Sequence, residues 1–239
     1  PWTLKAIAAG KHVLCEKPYS RQTAEVDEAW DAAEAAGVVL MEAFMWRHTP
    51  QAARLAELAA NELGELVHVR ATFSFPLEDD SDIRVDVDLA GGSLMDVGCY
   101  CVSGSRLIAG EEPDQVWGRQ VTTADGVDRR FTGYLHFPSG LVATFHSGFD
   151  SFNESLEVTG RTSTVFLPDP WHSLRGILLV DGQEQAVEAR NPYQCELEDM
   201  AATIRGEKAP RLGRADAMGQ ARTIEALYRS AETGAPVSL

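Results

Sequence analysis

Three scarcities narrow this chain before any motif is considered. No apolar run approaches the roughly 18 residues of a membrane span; the longest candidate, Val38 to Trp46, is interrupted by Glu42. Basic residues are outnumbered 21 to 36 by acidic ones, for a net charge of −15. Such a balance repels phosphate backbones and anionic lipid unless a local basic patch overrides it, and no such patch is visible, so neither nucleic acid nor membrane is an expected partner. Cysteine is sparse: Cys15, Cys99, Cys101 and Cys195 show neither C-x-x-C spacing nor the density of a secreted disulfide scaffold. Reduced thiols and a cytoplasmic setting are the expectation.

What is present is the composition of an ordinary soluble globular protein. The chain has 239 residues, 44% hydrophobic and 24% charged, enough for one large domain or two small ones. Trp2 to Ala9 reads as the tail of a helix closed by Gly10, and a helix with no visible start suggests a truncated chain. A short strand through HVLCEKP, a helix from Arg21 to Ala36 stopped by Gly37, and a second strand from Val38 to Met41 make a parallel pair with a helical crossover. A further helix is expected from Gln51 to Leu63, behind Pro50. From Leu66 the period changes to two: Val67, Val69, Ala71, Phe73 and Phe75 alternate with polar residues, as in a strand with one wet face. After an acidic loop (Glu78 to Asp88), Gly91-Gly92 and a helix from Leu94 to Ala109, short strands recur with hairpin chemistry at Ala124-Asp125-Gly126 and Pro138-Ser139-Gly140. Two helices, Gln194 to Ile204 and Ala215 to Thr233, close the chain. The order is α/β at the start and a mainly antiparallel α+β sheet afterwards, which places a domain boundary near Trp46: residues 1–46 and residues 47–239.

Two constellations could carry chemistry. Glu16-Lys17-Pro18 stands at the carboxyl end of a parallel strand, where open α/β sheets place their ligands, although a solvated charged pair before a turn has the same sequence. Asp96 and Tyr100, four apart in GGSLMDVGCY, share a helix face, as either a structural hydrogen bond or an acid/base pair. The other features are weaker. Asp79, Asp80, Asp82, Asp86 and Asp88 lack the glycine and terminal glutamate of a calcium loop and read as a solvated lid, so no metal is expected. The six histidines, His12, His48, His68, His136, His146 and His172, include no H-x-x-x-H pair and read as structural or surface groups. Cys99 beside Tyr100 has no adjacent base and reads as a helix-packing residue.

GKHVLCEKP, MEAFMWRHTPQ, AGGSLMDVGCYCVSGSRL, NPYQCELEDMAATIRGEKAP and RTIEALYRSAETGAPVSL together resemble the glucose-fructose oxidoreductase/inositol dehydrogenase (Gfo/Idh/MocA) family over essentially the whole chain. Within it, the D-V-G-C-Y form looks closest to the dihydrodiol and D-xylose or glucose dehydrogenases, because inositol dehydrogenases carry a histidine where Tyr100 stands. The resemblance implies that residues 1–46 are the end of a Rossmann domain binding NAD or NADP, and that residues 47–239 are a substrate-binding and oligomerisation domain with an open-faced sheet. It matches Lys17 to the catalytic lysine, Tyr100 to the group exchanging a proton with the substrate oxygen, and Asp96 to a carboxylate lining the same pocket. Trp46 and Arg47 match a segment near the nicotinamide, with Glu16 beside it. The implied activity is hydride transfer between the nicotinamide and a sugar, cyclic polyol or dihydrodiol; a non-catalytic ligand sensor on the same fold is the alternative. A homodimer or homotetramer through the sheet face is implied.

First principles make that chemistry reasonable. Oxidising a hydroxyl removes its proton as hydride leaves the carbon, so a base must reach the oxygen. Bringing a tyrosine from a pKa near 10 to about 7 takes about 4 kcal/mol, and an ammonium at about 4 Å in an effective dielectric near 20 supplies about that much. Asp96 would hold Lys17 charged and oriented, or contact a second substrate hydroxyl. The departure from the pattern lies upstream: neither G-x-G-x-x-G nor the residue that selects NAD or NADP is present. On the order of 80 residues are expected ahead of Pro1, without which dinucleotide binding and activity would be weak.

Overall fold

The computed structural model describes residues 2–79 and 81–239; Asp80 of the acidic loop lies outside the described residues. Helix α1 (Trp2–Ala8) leads into β1 (Val13–Glu16), α2 (Thr23–Ala36) and β2 (Leu40–Ala43). The two strands run parallel, with Val13 opposite Leu40 and Glu16 opposite Ala43. Helix α2 ends because Gly37 takes a left-handed φ of 65°, letting Gly37 and Val38 return their N–H groups to Glu34 and Ala33. The buried face of α2, Val26, Ala29, Trp30 and Ala33, packs with Ile7 and Leu40 into a small core.

Helix α3 (Pro50–Asn61) starts where Thr49 accepts the Ala52 N–H at 3.2 Å and Pro50 occupies the first turn. A cap of this kind contributes about 1 kcal/mol. The expected stripe, Ala52, Leu55, Leu58 and Ala59, is the face it buries. Strand β3 (Leu66–Ser74) then enters a nine-stranded sheet. The segment after it leads to α4 (Cys99–Ala109), and β4 (Gln115–Thr122), β5 (Asp128–His136), β6 (Val142–Gly148), β7 (Asn153–Gly160), β8 (Thr164–Leu167), β9 (Ile177–Val180) and β10 (Gln183–Ala186) follow. Helices α5 (Pro192–Ile204) and α6 (Arg214–Thr233) precede the two-residue β11 (Val237–Ser238).

The strand order is β10-β9-β8-β7-β3-β6-β5-β4-β11. Every pairing is antiparallel except β3 with β6. That exception has a topological cause. The chain reverses between β6 and β7, and β3 inserts between those two strands, so it must run parallel to one and antiparallel to the other. Alternation puts Val69, Ala71 and Phe73 on the covered face with Phe131, Leu135, Ala143, Phe145, Leu156 and Val158. Helix α4 packs on that face, and Ile224 and Leu227 of α6 join the same core. Ala217 and Ala221 of α6 belong to the small N-terminal core instead, so one helix joins both.

The opposite face is open. Along one register row it carries Phe166, Glu157, Arg70, Thr144, Tyr134 and Trp117. Trp117, Val121 and Phe166 are exposed on it.

Candidate active site

Lys17 follows β1 at the carboxyl end of the parallel pair. Its Nζ donates to the Asp96 backbone carbonyl at 2.7 Å and to Asp96 Oδ1 at 3.2 Å. Asp96 comes from a five-residue π-helical turn, Leu94–Gly98, that enters α4. The expectation of one regular helix from Leu94 is corrected here: its first turn is wider. π turns of this type recur at functional sites. Two contacts anchor it. Asp128, buried on β5, accepts from the Leu94 N–H at 2.8 Å, the Ser93 hydroxyl at 2.9 Å and the Tyr228 hydroxyl at 2.7 Å, so a carboxylate from another strand caps the turn. Gly98 lets the turn lie directly on β6: a Cβ there would fall 2.8 Å from Ser147 Oγ and 2.9 Å from Leu94 Cδ1.

Asp96 is bridged by two cations, because its Oδ2 accepts from Arg84 Nε at 2.8 Å. Arg84 belongs to the acidic segment read above as a solvated lid, and also contacts Asp82. Tyr100 lies beneath Lys17, whose Nζ is 5.0 Å from the ring centroid. The ring is held edge-on by Phe44 and Phe73, and its hydroxyl donates to Met45 Sδ at 3.3 Å. Lys17, Asp96 and Tyr100 thus line one cavity of about 500 Å³ with Glu16, Met45, Phe73, Phe75, Arg84, Phe152, His172 and Tyr193. A second cavity of about 460 Å³ shares Lys17, Arg84 and Asp96 and extends past Ser20, Arg21 and Gly92.

The electrostatics correct one expectation. Lys17 is kept charged: burial opposes its ammonium, but Cys99, Asp96 and Glu16 outweigh burial and raise its pKa. Tyr100 is not lowered. Burial, with Cys99, Tyr193, Glu16 and Asp96 adding to it, drives its phenol far above the ordinary value. The reason is geometric: the ammonium faces the ring and is hydrogen-bonded to Asp96, while the hydroxyl is turned to the Met45 sulfur. Burial also pushes the Cys99 thiol up to about 12, in keeping with a packing role. Glu196, buried in the first half of α5, is raised to about 7 by burial and by Glu16.

Trp46 and Arg47 line neither cavity. Trp46 is buried edge-on against Trp171 with its indole N–H unpaired among the described residues, and Arg47 reaches Ser103 at 3.0 Å and Asp216 at 3.5 Å. Of the residues expected near a nicotinamide, Glu16 and Lys17 are therefore the ones at the opening. The carboxyl ends of β1 and β2 open on that corner beside a retained ammonium, a donor set that fits the nicotinamide end of a dinucleotide. Pattern reading missed Arg84, Asp128 and His172, because each acts through a partner distant in sequence. Only the location of Arg84 in a loop next to the GGSLMD segment was a usable signal. Among the described residues one group offers metal-ligand spacing, Glu154, Asp169 and His172, with one ligand atom from each within 4.8 Å of the others.

The parallel β1-β2 pair and the open-faced mixed sheet meet at the corner that holds Lys17, Asp96 and Tyr100. The chain belongs to the GFO/IDH/MocA family: residues 1–44 match the oxidoreductase-family NAD-binding Rossmann fold and residues 52–166 the GFO/IDH/MocA C-terminal domain. It is 42% identical to D-xylose 1-dehydrogenase (NADP(+)) 2 of Haloferax volcanii, over 100% of this chain and 76% of that protein. It is 36% identical to trans-1,2-dihydrobenzene-1,2-diol dehydrogenase of Sus scrofa, over 70% of this chain and 50% of that one. Aldose-aldose oxidoreductase from Caulobacter crescentus, solved with glycerol, superposes with a TM-score of 0.93 at 28% identity, covering 100% of this chain and 75% of that one.

Proposed function

We propose that this chain carries the substrate site of an NAD(P)-dependent oxidoreductase acting on an aldose or related sugar, with Lys17, Asp96 and Tyr100 at the reacting centre. The observation that carries the reading is the convergence of Lys17, from the end of a parallel strand, on Asp96 and Tyr100, from the turn that opens α4. Relatives named for D-xylose and for dihydrodiol dehydrogenation support the substrate class, and residues 1–44 support NAD or NADP as cofactor. On this reading residues 1–46 end the nucleotide-binding domain and residues 47–239 form the substrate domain.

When bound, the nicotinamide supplies or accepts the hydride. This chain's residues manage the proton. Lys17, held charged by Asp96, stabilises negative charge on the reacting oxygen. Tyr100, kept protonated by burial, holds the proton that reduction delivers to a carbonyl oxygen, its hydroxyl turning from the Met45 sulfur to do so. Oxidation runs the same transfer backwards, with the hydroxyl proton passing to the phenolate oxygen. Asp96, pinned by Arg84 as well as Lys17, fixes the ammonium over the pocket. The test is turnover of D-xylose followed by absorbance with NAD and NADP separately. Lys17→Met and Tyr100→Phe are each expected to lower kcat by about 10²–10⁴-fold, the usual worth of a positioned acid/base group. Full activity of both variants would remove the reading.

The open sheet face supports a homo-oligomer. Its exposed Trp117, Val121 and Phe166 form apolar surface that a second copy would cover. No helix among the described residues is long and apolar enough to cross a membrane.

A further inference from the structure

Away from the Lys17 corner, the wall of the larger cavity is mostly apolar: Met45, Phe73, Phe75 and Phe152 line it. His172 interrupts that wall. It sits edge-on to Phe73, with ring centroids 5.6 Å apart, and Phe73 in turn packs on Tyr100, which puts His172 two aromatic rings from the ammonium. Its orientation is set from behind. Nδ1 bonds Glu154 Oε2 at 2.9 Å, and the Glu154 side chain is only 9% exposed, so Nε2 is the nitrogen left for a ligand. The loop carrying the ring is itself pinned, since Asp169 Oδ2 accepts from the Leu174 and Arg175 N–H groups at 2.7 and 3.1 Å.

A polar atom on a fixed ring, remote from the reacting centre, has a use that depends on the substrate. A polyhydroxylated ring brings hydroxyls far from the carbon being oxidised, and each needs a partner once water is excluded. A dihydrobenzenediol has its two hydroxyls adjacent and presents only hydrocarbon to that wall. We propose that His172, oriented by Glu154, binds a substrate hydroxyl remote from the reacting carbon, so that the pocket selects aldoses or cyclic polyols over dihydrodiols. The inference rests on the oxidoreductase reading and names the determinant of its substrate class.

The test compares D-xylose with trans-1,2-dihydrobenzene-1,2-diol in the intact enzyme and in His172→Phe, which keeps a ring against Phe73 and removes the nitrogens. The ratio of kcat/KM for D-xylose to that for the diol is expected to fall about 10- to 100-fold, the value of one hydrogen bond that can carry charge. Glu154→Gln, which keeps an acceptor for Nδ1–H but loses the charge, should move the ratio the same way by a smaller factor. A general loss of structure lowers both kcat/KM values and leaves their ratio alone. An unchanged ratio in His172→Phe overturns the inference. Absence of turnover by the wild type with every substrate overturns the oxidoreductase reading instead, and calorimetric titration of D-xylose into wild type and His172→Phe then decides the binding role, equal affinities counting against it.

Discussion

Replacing Glu42 by glutamine isolates the energetic cost of a carboxylate buried where the two cores meet. Glu42 lies on β2, 1% exposed; its Oε1 accepts the Tyr19 N–H at 2.7 Å and its Oε2 has no partner among the described residues. Burial lifts its pKa from 4.5 to about 7, with Asp216 adding to the rise and the Tyr19 N–H, Arg106 and Arg47 opposing it. Between those two values the folded protein holds a proton that the unfolded chain has released. The stability tied to that proton is fully present below the unfolded pKa and is lost as pH rises through the folded one. A rise of about 2.5 units corresponds to about 3 kcal/mol. The wild-type profile is a sum, because His48, buried against Asp199 and lowered to about 3 by burial and by Arg211, Arg47 and Lys208, gains stability as pH rises across its own window. The informative quantity is therefore the difference between Glu42→Gln and wild type, from urea unfolding at about pH 4.5 and about pH 8. That difference should shift in favour of the variant by about 3 kcal/mol, or about 6–12 °C in Tm for a chain of this size. A difference that stays flat across the range refutes the argument.

Gly98→Ala is expected to destabilise the protein by about 1–3 kcal/mol, the usual cost of overpacking, because the new Cβ meets Ser147 Oγ at 2.8 Å. Thermal unfolding reads it, and adding Ser147→Ala in the same chain should recover part of the loss; an unchanged midpoint would show that the turn does not depend on that close approach. Sedimentation should give a dimer or a larger assembly, with a charged substitution at Trp117 on the open face shifting it toward monomer. A monomeric wild type would leave that face with another use.

The elements were largely legible in the chain because their periods are local properties. The β1-α2-β2 crossover, the α3 stripe and the alternation in β3 follow from apolar spacing and from stops such as Gly37. So does the hairpin succession after α4. The parallel pairing of β3 with β6 was not legible, because it depends on where a distant strand inserts. The π turn under Asp96 was equally hidden, since its cap, Asp128, comes from another strand.

The same division runs through the candidate site. Glu16-Lys17-Pro18 and the Asp96/Tyr100 pair stand out in one dimension because strand ends and helix faces constrain which residues share a surface. Residue type and order settled the fold class and the acidic charge and marked the candidate positions, for these depend on local propensity and composition. Tertiary structure alone decided how those groups are used. It turned Lys17 toward Asp96 and the Tyr100 ring rather than its hydroxyl, buried Trp46 against Trp171, tied Arg47 to Ser103 and Asp216, brought Arg84 onto Asp96 and set His172 in the pocket wall. Hydrogen-bond partners and burial are properties of neighbours in space, and the strength of each charge at this site is set by them.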